Sequence, residues 1–474
     1  MSVLISAIVV ILVNLFSTNK RWPFVVSLAG LIVAGGFTIS YWGEGSQAIF
    51  NNLLAVDNFA LFFKLLLIGI AILVILASVK YSTKFQFRGE YLALVLFSTL
   101  GMMLMASATE LITLFVALEM TSLPLYTLVC FFKNQKSTES ALKYFFLGAI
   151  SSAIFLYGLV FIYGFAGTTQ LGEIAAAIQK TLGAGNSGSY GLLLGIVLII
   201  AGLGFKITAF PFQMWAPDVY EGAPTPITAY LSVASKSAGF AMILRIFFTS
   251  FSLPAWLSSE WGIAFAVLAV LGMTVGNVLA IPQSNIKRML AYSTIAQAGY
   301  LMLGLATMGL AAQTNVRGQT GLLFFLAGYV ATNLGAFFAA IAISEKIGSD
   351  EIADFAGMGK RSPWLALALS FCLISLIGIP PTAGFMAKFF LFGAAVQQNL
   401  LWLVIIAVVN SVISAYYYLR VVKVMWLNEP KVEVTVPSSK ALIVATGLSC
   451  LVVLLLGLVP NFVMGLAQIA AKIF

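Results

Sequence analysis

Apolar stretches long enough to cross a membrane recur along the whole chain. When stretches of about 17 to 25 residues are taken as membrane spans, fourteen can be placed in the sequence. Their centres lie near Val9, Leu31, Ile70, Thr99, Met120, Ile154, Ile199, Ala238, Leu271, Ala298, Phe337, Ile377, Val412 and Val452. Because lipid satisfies no backbone hydrogen bonds, such spans fold as helices. The pattern predicts an all-α polytopic membrane protein.

The composition agrees with this fold and excludes several functional classes. Of the 474 residues, 61% are hydrophobic and 9% are charged, against about 45–50% and 25% in soluble domains. Histidine is absent, so the commonest zinc ligand and the side chain that titrates nearest neutrality are missing. Cys130, Cys372 and Cys450 lie singly in apolar stretches, and we interpret them as small core residues. We expect no metal site and no cofactor site in this chain.

Basic residues are distributed unequally between alternate connections. Seventeen Lys and Arg residues fall on one side of the predicted membrane, and only Lys180, Arg317 and Lys472 fall on the other. The positive-inside rule then places both termini outside. Topology therefore accounts for the net charge of +9, and no nucleic-acid partner is needed.

Six charged residues fall within the predicted spans. Lys64 and Arg245 lie near span ends, where a long side chain can reach the lipid headgroups, and we interpret them as structural. The deeper ones are Glu119, Lys206, Lys236 and Lys388. A charge at the bilayer centre costs about 2.5–3.5 kcal/mol even on insertion scales, so these four should face protein or water. They are candidates for proton transfer; a static ion pair that fixes helix register stays open as the alternative.

Two proline-containing segments interrupt predicted spans close to lysines. Pro211 follows Lys206, and Pro380 precedes Lys388; proline removes a backbone donor and breaks a helix. Each break lies in the fourth span of a five-span block, and blocks with an odd number of spans enter the membrane from opposite sides. Paired broken helices in inverted repeats are typical of transporters.

This pattern predicts four segments in the chain. They are three N-terminal helices in residues 1–88, a first five-helix repeat in 89–252, a second in 253–427, and a C-terminal helix and tail in 428–474.

Polar side chains recur at helical spacing near the lysines. Each of three sets shares a helix face: Ser232 with Lys236 and Gly239, Ser293 with Gln297 and Tyr300, and Asn410 with Ser414 and Tyr417. Small and hydroxyl-bearing residues also allow close helix packing in lipid, which explains any single set. Several sets beside deep lysines favour a hydrated polar axis.

A GxGxxG match at Gly183–Gly188 is not interpreted as a nucleotide site. It follows a helical segment and precedes a span, and neither a strand nor a ribose-binding acid accompanies it. We expect a flexible loop.

Five sequence segments resemble the antiporter-like membrane subunits of respiratory complex I, and subunit N (chain 2) most closely. They are LEMTSLPLY, GFKITAFPFQMWAPDVYEGAPTP, LSVASKSAGF, IKRMLAYSTIAQAGY and GIPPTAGFMAKFF. They occur in the family's order between Glu90 and Trp426. The resemblance implies about fourteen helices with two inverted five-helix repeats, each containing a broken helix.

The resemblance also implies roles for individual residues. Glu119 is similar to the glutamate paired with Lys206 on the broken seventh helix. Lys236 is similar to the next lysine of a central axis, and Lys388 to the lysine from which the proton leaves. Gln297 stands where many such subunits have histidine and where the photosynthetic relatives often have a similar glutamine, and an amide cannot change its charge. We group Gln297, Pro211, Pro380 and Ser232 as supporting residues.

The implied function is proton translocation without a redox centre in this chain. Quinone, iron–sulfur clusters and possibly flavin are expected in partner subunits of an NAD(P)H– or ferredoxin–quinone oxidoreductase. Expected neighbours are other antiporter-like and small membrane subunits, in a bacterial plasma membrane or an equivalent such as the thylakoid. Two alternatives stay open: a subunit of a multisubunit cation (Na⁺)/proton antiporter, which shares this fold, and a structural spacer whose charges serve assembly.

Overall fold

Helices form almost the entire fold. The computed structural model describes residues 1–17, 19, 21–85, 87–183, 190–311, 316–430 and 439–472. The first helices are α1 (Ser2–Phe16), α2 (Trp22–Ser40), α3 (Asn58–Tyr81), α4 (Arg88–Ser107), α5 (Leu111–Val129), α6 (Gln135–Ala166), α7 (Leu171–Gly183), α8 (Tyr190–Ile207), α9 (Trp215–Gly222), α10 (Thr225–Tyr230) and α11 (Lys236–Ser250). The others are α12 (Ala255–Ala280), α13 (Ile286–Gly309), α14 (Val316–Ile347), α15 (Met358–Arg361), α16 (Pro363–Ile377), α17 (Ala383–Gln397), α18 (Leu401–Leu427), α19 (Lys440–Leu458) and α20 (Asn461–Ala471).

The predicted membrane spans correspond to these helices. Within the described residues, twelve helices are long and apolar enough to cross a membrane. Two more predicted spans match shorter helices: the 15-residue α1, and the 15-residue halves α16 and α17 taken together. All fourteen predicted centres lie in helices. The chain is an all-α, multi-pass integral membrane protein, as the sequence predicts.

Both predicted helix breaks are present. The seventh span is divided into α8 and α9 around Pro211, and the twelfth into α16 and α17 around Pro380. The eighth span is also irregular, because a π-helical turn at Leu231–Ser235 separates α10 from α11. The four segment boundaries proposed from the sequence stay a prediction.

One element outside the spans was not predicted, and a second corresponds to the helical segment before the GxGxxG match. A short antiparallel hairpin pairs β1 (Gln47–Ile49) with β2 (Leu54–Val56) between α2 and α3. The amphipathic helix α7 lies between α6 and α8. Residues 184–189, which hold most of the GxGxxG match, are outside the described residues.

Three spans form the centre of the bundle. The eighth span (α10, the π turn and α11), α13 and α14 are almost completely enclosed by other helices. The outer spans, such as α2, α6 and α19, leave most of their residues uncovered within this chain. The central spans carry Lys236, Gln297 and most of the polar side chains near them, so the polar axis lies where the protein excludes lipid.

Ion pairs join several basic connections at one end of the bundle, which we call the basic end. Arg288, at the start of α13, contacts both Asp218 and Glu221 at 2.8 Å. Lys136, before the membrane portion of α6, contacts Glu221 at 2.6 Å. Lys287 pairs with Asp350 at 3.0 Å. These contacts agree with the clustering of basic connections on one side of the membrane.

The interpretation of Arg245 as a residue that reaches the headgroups was wrong. Its side chain is 4% exposed and forms a two-pronged ion pair with Asp57, with Nη1–Oδ2 at 2.6 Å and Nη2–Oδ1 at 2.9 Å. Nη2 also donates to the carbonyl of Ala106 at 2.9 Å. Because Asp57 precedes α3, the pair ties the N-terminal helices to α11.

The sequence suggested three isolated cysteines, but two of them lie close together in the fold. Sγ of Cys372 on α16 and Sγ of Cys450 on α19 are 3.8 Å apart, and both thiols are free. The two residues are 78 positions apart in the chain, so only the packing of α16 on α19 brings them together.

Candidate functional site

The first helix break places Lys206 inside the protein. Helix α8 ends one residue after Lys206, and Thr208 then adopts a positive φ of 59°. Pro211 lies in the turn before α9. Nε1 of Trp215 donates to the carbonyl of Phe205 at 3.1 Å, so a side chain beyond the break adds a hydrogen bond to the last turn of α8. Lys206 is 4% exposed.

The ammonium of Lys206 contacts a hydroxyl and not a carboxylate. Nζ donates to Oγ of Ser122 at 3.0 Å. Glu119 lies one turn before Ser122 on α5 and exerts a Coulombic attraction on Lys206. No N–O distance of 4.0 Å or less joins the two charged groups, and Oε1 of Glu119 is buried without a hydrogen-bond partner. Ser122 therefore meets the ammonium directly, and Glu119, which the resemblance pairs with Lys206, acts on it from a greater distance.

A water-sized cavity adjoins Lys206. It has a volume of about 10 Å³ and is lined by Ser122, Tyr126, Ser151 and Lys206, among others. Such a volume is close to the minimum for one water molecule. The hydroxyl lining supplies the polar partners that a bound water needs.

Lys236 follows the π-helical turn directly. Nζ donates to the carbonyl of Thr294 on α13 and lies 5.6 Å from the ring centroid of Tyr329 on α14. Lys236 is 1% exposed, and within the described part of the chain it pairs with no acidic side chain. Single π-helical turns often occur at functional sites because they re-aim side chains.

Ser232, one turn before Lys236, belongs to the hydrogen-bond network around it. Oγ of Ser232 accepts from Nδ2 of Asn333 at 2.7 Å. The hydroxyl of Tyr329 contacts the carbonyl of Ser232 at 3.1 Å and Oγ1 of Thr294 at 3.2 Å. Ser232 therefore supports the residues that surround Lys236, and it does not touch the ammonium.

Lys206 and Lys236 are brought together by a glycine. A Cβ atom at Gly239 would lie 2.7 Å from Cγ2 of Ile207 and 3.5 Å from Cγ of Lys206. The backbone of α11 therefore packs directly on the end of α8. Gly239 is one turn after Lys236 on the same face of α11. The aliphatic part of Lys206 therefore packs against α11 one helical turn away from Lys236.

The second break solvates Lys388 with backbone carbonyls. Helix α16 ends at Ile377, and Gly378 follows with a φ of 96°, a conformation that favours glycine. The carbonyls of Leu376 and Ile377 are thereby left without helical donors. They accept from Nζ of Lys388 at 3.3 and 2.8 Å, and Oγ of Ser411 accepts at 2.9 Å.

Gln297 lies beside the same break. Its Nε2 donates to the carbonyl of Leu376 at 3.3 Å, which also accepts from Lys388. A second cavity of about 10 Å³ is lined by Gln297, Tyr329, Thr332, Lys388 and others, which is room for about one water molecule. Tyr329 borders this cavity and the surroundings of Lys236, and it therefore lies between the two lysines.

A polar network continues beyond Lys388. Oγ of Ser411 contacts the hydroxyl of Tyr300 at 3.2 Å, and Tyr300 contacts Nδ2 of Asn277 at 3.5 Å. Nδ2 of Asn277 also donates to Oδ1 of Asn410 at 3.2 Å, and Oδ1 of Asn277 accepts from the hydroxyl of Tyr417 at 2.9 Å. Two of the polar sets predicted from helical spacing thus meet here.

Sequence reasoning missed several members of this axis. They are Ser122, Asn277, Thr294, Tyr329, Asn333 and Ser411. For Ser122 a signal existed, since it lies three residues after Glu119 on one helix face. Thr294 contributes its carbonyl to Lys236, and a carbonyl has no signal in a sequence.

Within the described residues, no group of three or more His, Cys, Asp or Glu side chains is arranged to hold a metal ion.

Residues 108–414 match the family model described as NADH:quinone oxidoreductase/Mrp antiporter, TM. Over 475 aligned residues, the chain is 50% identical to NADH-quinone oxidoreductase subunit N of Dehalococcoides mccartyi, with 99% of this chain and 98% of that protein covered. The chain belongs to the subunit N family of NADH-quinone oxidoreductases.

Two solved structures resemble this chain over nearly its whole length. A chain of respiratory complex I from Thermus thermophilus is 32% identical and superposes with a TM-score of 0.82, covering 99% of this chain and 100% of its own length. A chain of the Mrp complex from Dietzia has a TM-score of 0.86 at 20% identity and 99% coverage of this chain. The latter likeness shows the shared fold alone.

The matched region contains the whole candidate site. Glu119, Lys206, Lys236 and Lys388 all lie within residues 108–414. The polar axis thus lies in the part of the chain that matches the NADH:quinone oxidoreductase/Mrp antiporter family model.

Proposed function

We propose that this chain is a proton-translocating subunit in the membrane arm of a complex I-type quinone oxidoreductase. The observation that carries the proposal is the series Lys206, Lys236 and Lys388. Each ammonium is buried, lies at a helix break or π-helical turn, and contacts hydroxyl or carbonyl oxygens. A lysine held by neutral acceptors can release its proton without leaving a directly paired carboxylate behind.

Glu119 provides the negative charge at one end of the series. Because more than 4.0 Å separates it from the ammonium of Lys206, their attraction is below about 4 kcal/mol at an effective dielectric of about 20. A membrane potential of 100 mV acts on one charge with about 2.3 kcal/mol. A change in the position or protonation of Glu119 therefore alters the energy of a proton on Lys206 by an amount relevant to pumping.

Hydroxyl groups and single waters connect the lysines in this proposal. The cavities beside Lys206 and Lys388 each hold about one water, and Tyr329 lies between Lys236 and Lys388. Gln297 cannot carry a proton as a charged group. Its amide orients the carbonyl of Leu376 and any water in the adjacent cavity.

The redox chemistry in this proposal belongs to partner subunits. Those subunits would hold quinone, iron–sulfur clusters and, with a nicotinamide donor, flavin. Other antiporter-like and small membrane subunits would flank this chain in a bacterial plasma membrane or an equivalent such as the thylakoid. This chain contributes a proton path and no electron carrier.

Neutralisation of Glu119 tests the proposal. We expect Glu119→Gln to lower proton pumping at least about tenfold in proteoliposomes that contain the assembled complex, because about 1.4 kcal/mol corresponds to tenfold. Glu139→Gln is the matched control, since Glu139 is 63% exposed. Assembly is checked by native electrophoresis, and full pumping by an assembled Glu119→Gln complex would refute the proposal.

Two further measurements separate the alternatives. Mass spectrometry of the gently extracted particle should find iron–sulfur and quinone-site subunits; only antiporter-like chains together with sodium-dependent transport would identify a cation exchanger. Lys206→Met with undiminished pumping would show that the buried charges serve assembly alone.

A further inference from the structure

An apolar groove runs between α16 and α19 on the outside of the bundle. It has a volume of about 650 Å³ and is lined by residues that include Trp364, Leu367, Phe371, Ile443, Gly447 and Leu454. Trp364 is 81% exposed and Ile443 is 52% exposed. No other helix of the described chain fills this groove, which we call the α16–α19 groove.

Basic residues lie at one end of the α16–α19 groove. Lys440, Ile443, Gly447 and Leu454 recur at helical spacing, so Lys440 lies at the start of the stripe on α19 that lines the groove. Lys360 lies two residues before Ser362, the first lining residue on the α16 side. Both lysines are exposed, and neither pairs with an acid in the described part of the chain.

The depth of the groove matches one leaflet of a membrane. From Ile443 to Leu454, α19 rises by about 16 Å at 1.5 Å per residue, which is about half of a 30 Å hydrocarbon core. Trp364 lies near the basic mouth, and tryptophan concentrates at the level of lipid headgroups. An apolar groove of this depth, with cations at headgroup level, is complementary in shape and charge to an anionic phospholipid.

We propose that the α16–α19 groove binds an anionic phospholipid. An acyl chain lies along Phe371, Gly447 and Leu454, and the phosphate lies at the basic mouth beside Lys360 and Lys440. The negative headgroup is specified by these two lysines, which pair with no acid among the described residues, because basic pockets between helices bind anionic headgroups. Binding here does not depend on the proton path, which runs through the centre of the bundle.

Photolabelling of the intact complex tests this site. The complex is reconstituted with phosphatidylglycerol that carries a diazirine in one acyl chain, or with phosphatidylcholine that carries the same chain. Labelled peptides are then identified by mass spectrometry. We expect phosphatidylglycerol to label peptides from α16 and α19 at least about tenfold more than phosphatidylcholine does, since each lysine near the surface contributes to anionic-lipid binding.

Two sets of variants separate recognition of the headgroup by the lysines from binding of the acyl chain in the groove. Lys360→Gln with Lys440→Gln should reduce phosphatidylglycerol labelling to the phosphatidylcholine level. Gly447→Phe should remove labelling of both kinds, because a Cβ at Gly447 meets open space and the ring enters the groove without a clash at its root. Gly36→Phe is the control, since Gly36 on α2 also faces open space.

Two results would overturn the proposal. Equal labelling by the two lipids would show ordinary lipid contact without headgroup recognition. An absence of labelling, together with cross-links from a neighbouring subunit to α19, would show that a protein partner covers the groove.

Discussion

At the scale of single residues, Lys388 is the most completely solvated of the three lysines. Its Nζ contacts the carbonyls of Leu376 and Ile377 and the hydroxyl of Ser411, and the ring centroid of Tyr300 is 4.5 Å away. An ammonium has three donors, and three neutral acceptors are present. The protein thus stabilises the cation with dipoles in place of a counter-charge.

Removal of the Ser411 hydroxyl should impair proton transfer through Lys388. A hydrogen bond to a charged group contributes about 1.5–3 kcal/mol, so we expect Ser411→Ala to lower the pumping rate at least about tenfold. Ser411→Thr keeps the hydroxyl and should retain most of the rate. Pumping is measured by dye quenching in proteoliposomes, with quinone reductase activity as the check on assembly; equal rates for the two variants would contradict this role.

The charged residues of the site were predictable, and their acceptors were not. Burial of a charge in lipid is so unfavourable that Glu119 and the three lysines were recognisable from position alone. The acceptors of Lys236 and Lys388 include backbone carbonyls, which every residue possesses. The contact of Ser122 with Lys206 was unpredictable for a related reason: the rotamer and depth of each side chain decide whether Ser122 or the carboxylate of Glu119 meets the ammonium.

At the scale of elements, the second helix break is stabilised by very close backbone packing. A Cβ atom at Gly384, on α17, would lie 1.8 Å from the carbonyl oxygen of Ser375 on α16. The amide of Gly384 also donates to Oγ of Ser375 at 3.1 Å. Glycine at this position lets the two half-helices overlap, and Lys388 lies one turn further along α17.

A methyl group at Gly384 should therefore disable the second break. We expect Gly384→Ala to displace α17, to move Lys388 away from the carbonyls of α16, and to lower pumping at least about tenfold. Gly393→Ala on the same helix is the matched control, because a Cβ there meets open space. Alanine is otherwise favoured over glycine in helices by about 1 kcal/mol.

Thermal stability and pumping of both complexes provide the measurement. Gly393→Ala should match or slightly exceed the parent protein in stability. Unchanged stability and pumping in Gly384→Ala would show that the packing at the break is dispensable.

The spans and breaks were predictable because hydropathy and proline act locally. Fourteen span centres and the interruptions near Pro211 and Pro380 required only the sequence. The hairpin β1–β2 is too short, at three residues per strand, to produce a clear alternation. The residues of the π-helical turn at Leu231–Ser235 form an ordinary helical pattern, so the sequence did not indicate it.

At the scale of the whole molecule, the ion pair of Arg245 with Asp57 joins the N-terminal helices to the centre of the bundle. Both side chains are almost fully buried, and Asp57 also caps α3 by accepting from the amide of Ala60 at 2.8 Å. Loss of one partner from a buried pair leaves an uncompensated charge.

Removal of one partner should destabilise the assembled protein markedly. We expect Arg245→Met to cost about 3–5 kcal/mol, measured as a lower unfolding temperature of the purified complex in size-exclusion thermal assays. Lys84→Gln serves as the control, because Lys84 is 44% exposed in its 3.5 Å contact with Glu345 and exposed pairs contribute at most about 1 kcal/mol. Equal shifts in the two variants would refute a structural role for the buried pair.

The distribution of basic residues in the sequence predicted which end of the molecule is basic. Which helices lie next to each other could be learned only from the structure. The contacts of Arg288 with Asp218 and Glu221 agree with the basic side that the sequence indicated. Nothing in the sequence placed Asp57 beside Arg245, 188 residues away, or Cys372 beside Cys450. Pairings of this kind depend on which helices are adjacent, and hydropathy does not carry that information.

The broken end of α16 makes part of this protein's chemistry independent of side-chain identity. The oxygens that hold Lys388 belong to the main chain at Leu376 and Ile377, so exchange of either side chain for another apolar one leaves both oxygens in place. Mutational scans of those two positions would register nothing about the lysine. The positions of these acceptors depend on the backbone conformation at the break, and only a change in that conformation, such as one caused by substitution of Gly378 or Gly384, can remove them.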